Sequence, residues 1–565
     1  MKKVILLPPE VFQKIAAGEV IERPFSVVKE LVENALDAFS TDIRVDVVEG
    51  GKKLIRVTDN GHGMDQEDVL LCFERHSTSK ISGEEDLEQI STLGFRGEAL
   101  PSISAVSRVT MKTSDGRTAK GIQIERQGEK VLRTLEIAFP EGTCVEVRDL
   151  FFNLPARRKF LRSDRAELSQ IVRFLTHFAL AFSEVRFSLY HGDRKIFDYP
   201  GVSSLKERIY QVYGRSVLES LIPVDFEDEE QCIKGYVSRP PSGRKDRSLQ
   251  LFYVNRRAVK DRMLQAALNQ AFMGYIEKDL SPLSFLFVNL PFSEVDVNVH
   301  PTKAEVRFKD SPSIFRIVQR GITRSISKEM GIKEIYLTQP ERRESPRIDE
   351  TYQPPLMRKP DGVENQTSKM FVPQSEEKKR RRVLGQYLDT YIVIADDEGL
   401  LIVDQHNAHE RVLYEKYEEI DRQKDWPRKL TLLPAVFDLS PSQILRFEES
   451  QDLLEEIGFR VDNMGGRSFA LKEYPDIFKE EEAQKIFLSL LEEMGEEKIQ
   501  DKKKILLATL ACKTAIKAGH PLPSEKMSYL VEELFATSNP SLCPHGRPVL
   551  LKLDRKKIEK EIGRK

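Results

Sequence analysis

This sequence predicts a multidomain protein of mixed α/β and α+β class, and three observations carry the prediction. Helical and strand-like patterns alternate from residue 1 to about 205, the signature of helices layered on a sheet. A second set of apolar, strand-like runs follows over 206–333. Residues 334–382 then turn rich in Pro and charge before apolar periodicity resumes over 383–565.

The elements can be read in order. Pro24 to Phe39 predicts a helix, with Val27, Val28, Leu31, Ala35 and Leu36 on one side. Asp42 to Asp59 predicts a hairpin: Ile43, Val45 and Val47 alternate, Gly50-Gly51 turns, and Leu54 to Val57 returns. In the second unit Leu251-Phe-Tyr-Val-Asn and Phe285-Leu-Phe-Val-Asn read as strands, and Val295-Asp-Val-Asn-Val alternates strictly. Between 334 and 382, Gln339-Pro, Ser345-Pro, Gln353-Pro-Pro and Lys359-Pro sit among charges with few aliphatics. Such a stretch cannot bury enough apolar area to offset its ordering entropy, so a disordered linker is expected. It ends in Lys378-Lys-Arg-Arg-Arg382, either a solvated tail or a DNA-touching run. Tyr391 to Asp404 predicts another hairpin around Asp396-Asp-Glu-Gly399, with helical patterns after it.

Composition excludes some functions. A formal net charge of -2 on 565 residues is not that of a polycation, so any nucleic-acid contact must come from local basic patches. Five scattered Cys, at 72, 144, 232, 512 and 543, do not form a disulfide framework, and a reducing cytoplasm is expected. No apolar run suits a signal peptide or a membrane span.

Four motifs in the first unit suit a nucleotide, although no Gly-x-x-x-x-Gly-Lys-Ser/Thr loop occurs. The first is Glu30-Leu-Val-Glu-Asn-Ala-Leu-Asp-Ala38. Glu30 and Asn34 share a helix face; Asn34 offers an oxygen to Mg²⁺, Glu30 can hold an attacking water, and Asp37 joins the binding set. The second is Asp59-Asn-Gly-His-Gly63 after a strand. Asp59 can accept from an adenine amino group, while Gly61 and Gly63 let the backbone approach a ligand. The third couples Arg75-His-Ser-Thr-Ser-Lys80 to Leu93-Gly-Phe-Arg-Gly-Glu-Ala-Leu100. Thr78, Ser79, Lys80, Gly94, Phe95, Arg96 and Gly97 would cradle phosphates at a helix start, with the intervening chain as a lid. The fourth is Gly142-Thr-Cys-Val-Glu-Val147, where Thr143 completes the base pocket. Taken alone, the first motif reads sooner as an ordinary charged helix face and the second as a plain turn; all four in order are far more specific.

In that order they resemble the split-sheet ATPase (GHKL, Bergerat-type) fold shared by gyrase, a heat-shock chaperone family, sensor histidine kinases and MutL. Ile15-Ala-Ala-Gly-Glu-Val-Ile-Glu-Arg-Pro24, the Gly94 to Leu100 segment and Phe151-Phe-Asn-Leu-Pro-Ala-Arg-Arg-Lys-Phe160 resemble the MutL family in particular. The likeness covers nearly residues 1–330. It implies an ATPase domain over 1–205 and a transducer domain over 206–333. It also implies that Glu30 is the general base, that Asn34 binds Mg²⁺ and that Asp59 reads adenine. Lys303, in Val299-His-Pro-Thr-Lys303, is implied to reach the γ-phosphate of ATP and steady its developing charge.

Arg157, Arg158, Lys159, Arg239, Arg244, Lys245, Arg247, Arg256 and Arg257 would together line a phosphate-binding groove of weak sequence preference. In the last unit, His406 and Glu410 are four apart and face one metal together, with Asp404 a ligand or a helix N-cap. Cys512 alone suits a core, whereas Cys543 and His545 project from a Pro/Gly-rich turn. The set offers oxygen, imidazole and thiolate, enough for one Zn²⁺ and part of a second site.

These three segments resemble the endonuclease motifs of the MutL group that nicks DNA. Asn407 stands for the usual Ala and Lys513 for the usual Arg; neither change removes a ligand. Lys429-Leu-Thr-Leu-Leu-Pro434 resembles the family's sliding-clamp-binding motif, with Lys in place of its leading Gln. The resemblance implies Mn²⁺ or Mg²⁺ at the nicking site, DNA, the MutS mismatch sensor and the clamp as partners, and a homodimer joined through 383–565. The alternative is an ATP-switched matchmaker with structural zinc and no nuclease activity of its own.

Overall fold

The computed structural model describes residues 20–331 and 381–564, apart from 81–82, 84–91, 95–96, 118–119, 129, 229–230, 245, 278–279, 297–305, 495–498 and 518. The expected linker up to 380, Lys303, Phe95, Arg96 and Lys245 lie outside the described residues.

A helix runs Pro24–Asp37. Proline at its first turn supplies a preset φ where no N–H is needed. Its Val27, Val28, Leu31, Val32 and Ala35 are buried. The expected helix extended to Phe39, but Ala38 caps it and Phe39 turns left-handed. The hairpin forms as expected from β1 (Asp42–Val48) and β2 (Leu54–Asp59), paired antiparallel. They join β3 (Arg108–Ser114), β4 (Lys120–Gln127), β5 (Lys130–Ala138), β6 (Gly142–Arg148), β7 (Arg186–His191) and β8 (Arg194–Tyr199). The resulting eight-stranded sheet has the order β5-β4-β3-β6-β2-β1-β7-β8. Its pairings are antiparallel except that of β1 with β7. The helices Pro24–Asp37 and Asp164–Ala181 pack on one face and bury the main core, which includes Ile43, Val45, Val57, Ile171 and Leu175.

A second sheet of five strands follows, in the order 257–259, 250–254, 284–289, 231–238 and 221–228. The two strands read from Leu251 and Phe285 lie side by side in it, parallel. Helices Arg262–Ala271 and Ser311–Glu329 cover it around Leu264, Leu268, Val318 and Ile322.

Toward the C-terminus, strands 382–387, 391–396, 399–404 and 550–554 form an antiparallel four-stranded sheet. The hairpin expected from Tyr391 to Asp404 is its centre. The basic run belongs to this folded region at its end: Arg382 opens a strand, and the Arg381 guanidinium lies 3.6 Å from the Phe535 ring centre. Stacking on Phe535 thus holds Arg381. A separate three-stranded sheet is built from 428–438, 468–475 and 460–465. Two compact units emerge, one within 1–333, 430–455 and 459–473, the other within 334–429, 456–458 and 474–565. Among the described residues, no helix is long and apolar enough to cross a membrane.

Candidate functional site

The first unit contains a cleft of about 1340 Å³. Its wall carries Glu30, Asn34, Asp37, Asp59, Gly63, Thr78, Ser79, Lys80, Gly94, Gly97 and Thr143. The helix Pro24–Asp37 delivers the first three, since i, i+4 and i+7 fall on one face. Its opposite face is the apolar stripe that seats it on the sheet.

Strand pairing builds the base end. Asp59 ends β2 directly opposite Thr143, near the start of β6. The Thr143 hydroxyl lies 2.9 Å from that of Thr113 on β3. Asp59 Oδ1 accepts from the Gly61 N–H at 2.9 Å and the Ser40 hydroxyl at 3.1 Å. Burial pushes the Asp59 carboxyl above its ordinary value, against these two bonds and one from the Thr143 backbone, which favour the ionised form. Gly61 is not on the wall; a Cβ there would stand 2.7 Å from the Ala38 carbonyl oxygen. Gly63 has φ 63°, and a Cβ would fall 1.9 Å from the Ser114 carbonyl oxygen.

At the phosphate end, the Lys80 ammonium sits 2.9 Å from Asn34 Oδ1 and 2.5 Å from Asp37 Oδ2. Asp37 also accepts the backbone N–H groups of Leu93 and Gly94, at 2.8 and 3.0 Å. Two side-chain oxygens converging on one cation are the donor chemistry of a Mg²⁺ site. Glu30 lies beside them, paired with Lys29 at 3.1 Å.

Sequence reasoning missed the far wall, where Arg173, Phe174, His177 and Lys260 face the cleft. Burial, helped by Arg173 and Lys260, holds His177 down at about 3, so it is a neutral imidazole. Its signal was the i, i+4 spacing of Arg173 and His177 on the helix Asp164–Ala181. The expected basic groove is also partly spent internally. Arg257 is 8% exposed and donates to the Thr92 carbonyl oxygen. Arg256 pairs with Glu184 and lies 4.6 Å from the Phe182 ring centre. Arg158, Lys159 and Arg247 remain exposed.

The second unit assembles five of its six expected ligands. The helix Gln405–Gln423 starts where strand 399–404 ends, and it presents His406 and Glu410 one turn apart. Cys512 comes from the helix Ile499–Thr514. A tight turn, closed by Gly546 N–H to Cys543 O and Cys543 N–H to Arg547 O at 2.9 Å each, supplies Cys543 and His545. Donor atoms of His406, Glu410 and Cys512 lie within 4.8 Å of one another, and so do those of Glu410, Cys543 and His545. Glu410, 1% exposed, belongs to both groups, with Oε1 3.2 Å from His406 Nε2 and Oε2 3.4 Å from His545 Nδ1. The cluster attracts positive charge. Bonds from Cys512 and Glu410 hold His406 up at about 10. Burial would raise the Glu410 carboxyl, but His406, His545 and Cys512 keep it well below the ordinary range. His406 Nδ1 lies 2.9 Å from the Ile516 carbonyl oxygen, which orients the ring.

Asp404 is not in either group. It caps the helix, its Oδ1 accepting the Asn407 N–H at 2.9 Å. His409, on another face of the helix, accepts the Ile516 N–H at 2.9 Å. The Asn407 side chain donates to the Pro548 carbonyl oxygen at 3.1 Å, and Lys513 to the Ser489 hydroxyl at 3.0 Å, so both departures from the motif are accommodated.

Three family models match the chain. They are described as Histidine kinase-, DNA gyrase B-, and HSP90-like ATPase, over 22–144; DNA mismatch repair protein, C-terminal domain, over 209–327; and MutL C terminal dimerisation domain, over 384–522. The DNA mismatch repair protein MutL of Koribacter versatilis is 36% identical over 650 residues, covering 100% of both chains. That of Caldanaerobacter subterraneus subsp. tengcongensis is 36% identical over 595 residues, again with 100% of both chains covered. Among solved structures, the Aquifex aeolicus MutL ATPase domain complexed with ADP is 30% identical, with a TM-score of 0.38, covering 53% of this chain and 98% of that one.

Proposed function

Because this chain belongs to the MutL family of DNA mismatch repair proteins, with a split-sheet ATPase domain and a C-terminal dimerisation domain, we propose that ATP closes its homodimer on DNA and that the C-terminal donor cluster nicks a strand. We assign the ATPase domain to 1–205, the transducer to 206–333, the linker to 334–382, and the dimerisation and nuclease region to 383–565.

In the ATPase, Asp59 takes the adenine amino group and Thr143 closes the base pocket. Asn34 and Asp37 offer oxygens to Mg²⁺, which leaves Lys80 to meet phosphate with Thr78, Ser79, Gly94 and Gly97. Phe95, Arg96 and Lys303 complete that set on the strength of their motifs. Glu30 orients the attacking water. ATP bound against the 65–100 region shifts the population toward N-terminal dimers.

The nuclease reading rests on one observation: Glu410 joins two donor groups, each mixing oxygen, imidazole and thiolate. Those donors suit Zn²⁺, whereas the hard oxygen of Asp404 suits Mn²⁺ or Mg²⁺. A metal there supplies Lewis acidity for phosphodiester hydrolysis. Asp404 stands at the helix start as the hard oxygen nearest in sequence, and it serves the hydrolysis after leaving its capping bond. Exposed Arg158, Lys159 and Arg247 hold DNA by its phosphates, with the MutS mismatch sensor as upstream partner. Leu430, Leu432 and Leu433, at 75%, 91% and 82% exposure, present an apolar edge for the sliding clamp. The deciding test is incubation of the full chain with supercoiled plasmid, Mn²⁺ and ATP. Nicked circles are expected; intact plasmid with the clamp also present, from protein that carries zinc, means a matchmaker with structural zinc.

A further inference from the structure

Phe39 has a backbone φ of 59°. For a bulky side chain that left-handed conformation is an outlier, whereas glycine adopts it freely. No core packing compensates, because the residue is 77% exposed. The conformation closes the helix end, with the Phe39 N–H bonded to the Leu36 carbonyl at 3.0 Å and the Ser40 N–H to the Ala35 carbonyl at 3.1 Å, and both neighbours are also anchored to the base-reading loop. The Ala38 carbonyl accepts the His62 N–H at 3.1 Å. The Ser40 hydroxyl, 3% exposed, donates to Asp59 Oδ1 at 3.1 Å. The Phe39 ring then leans on the His62 imidazole, centroids 5.3 Å apart and planes inclined by 51°. Both residues stand on the wall of the nucleotide cleft, on the Asp59 side.

Glycine or asparagine usually fills that helix-end position, so a large exposed aromatic there, on the cleft wall beside a ligand-reading carboxylate, points to a ligand contact. We propose that Phe39 and His62 form an aromatic flap that packs on the base or ribose of a bound adenine nucleotide. The proposal rests on the nucleotide reading of the cleft. Asp59 reads the edge of the base by hydrogen bonding; the flap adds a face, with apolar contact that is indifferent to the number of phosphates. ADP and ATP should therefore feel it equally.

The test measures ADP binding and ATP turnover by the full chain. Phe39→Gly removes ring and strain together. Phe39→Asn removes the ring but keeps a residue that tolerates left-handed backbone. Both should weaken ADP binding about tenfold, within the range for loss of one base–aromatic contact. KM for ATP should rise similarly while kcat holds. Phe39→Tyr should restore affinity. Thermal stability of Phe39→Gly should equal or exceed that of the wild type, because glycine relieves the backbone. Wild-type affinity in either ringless variant overturns the flap, and so does a lower melting temperature for Phe39→Gly, which would give the ring to packing. Asp59→Asn separates the two readings. If it alone loses ADP, the cleft stands and the flap falls; if it too binds normally, the nucleotide assignment falls with it.

Discussion

Glu410 Oε1 lies 3.2 Å from His406 Nε2, one helical turn along the same helix, while its other oxygen faces His545 at 3.4 Å. Both donor groups therefore depend on a single carboxylate. Glu410→Gln should lose all bound zinc, whereas Cys543→Ser should lose only what the turn group holds. Asp404→Asn should keep zinc and fold, since Asn caps a helix as well as Asp, and yet lose nicking. Metal content by elemental analysis, beside plasmid nicking, checks all three. Normal nicking by Asp404→Asn would remove that carboxylate from the chemistry.

The nucleotide cleft separates binding from turnover. Glu30→Ala should bind ATP normally and hydrolyse it about 10²–10⁴-fold more slowly, the usual worth of a positioned base. Asn34→Ala should lose the Mg²⁺ dependence of binding as well. Single-turnover kinetics with titrated Mg²⁺ distinguish the two; near-normal hydrolysis by Glu30→Ala would contradict its role.

Nucleotide affinity should also depend on pH through Asp59. Burial raises its carboxyl in the unliganded fold, so the fold itself loses a little stability as pH rises from the ordinary carboxylate value to the raised one. The ionised carboxylate accepts from the adenine amino group more strongly than the protonated carboxyl, which keeps only its carbonyl oxygen as acceptor. Affinity is therefore full above the raised pKa and falls away as pH drops through it, beginning above the ordinary value of about 4. ADP titrations over acidic pH should show this fall, and Asp59→Asn should flatten it.

Gly63 is the most confined glycine of the site. Gly63→Ala would place a Cβ 1.9 Å from the Ser114 carbonyl oxygen at a φ of 63°. A cost of about 2 kcal/mol or more is expected, from backbone strain plus displacement of β3. The melting temperature of an N-terminal fragment should fall by several degrees and ADP binding should weaken. An unchanged melting curve would mean that the loop relaxes freely.

Local pattern made much of this legible. The hairpin of β1 and β2 follows from two-residue alternation around Gly50-Gly51, and the helix carrying Glu30 and Asn34 from its apolar stripe. The same stripe overran to Phe39, since periodicity does not register a left-handed residue held by neighbours on another loop. Glu410 and His545 are 135 positions apart, so their meeting was readable only from motif resemblance. Asp404 shows the opposite limit: an Asp at a strand–helix junction looks the same whether it caps or ligates. His177 and Arg173 went unnoticed because a helix facing a cleft has the spacing of one facing a core.

The parallel pairing of β1 with β7 has a consequence for how the chain is made. Asp42 and Arg186 are register partners 144 positions apart, and β2 waits for β6 on its other side, with Leu54 opposite Arg148. During synthesis the β1–β2 hairpin emerges with both edges unpaired, and it stays so until those later strands leave the ribosome. Such non-local closure is slow and leaves open strand edges that invite pairing with other chains. A fragment cut before Arg186 would keep the residues that read adenine yet lack the strand that closes their sheet.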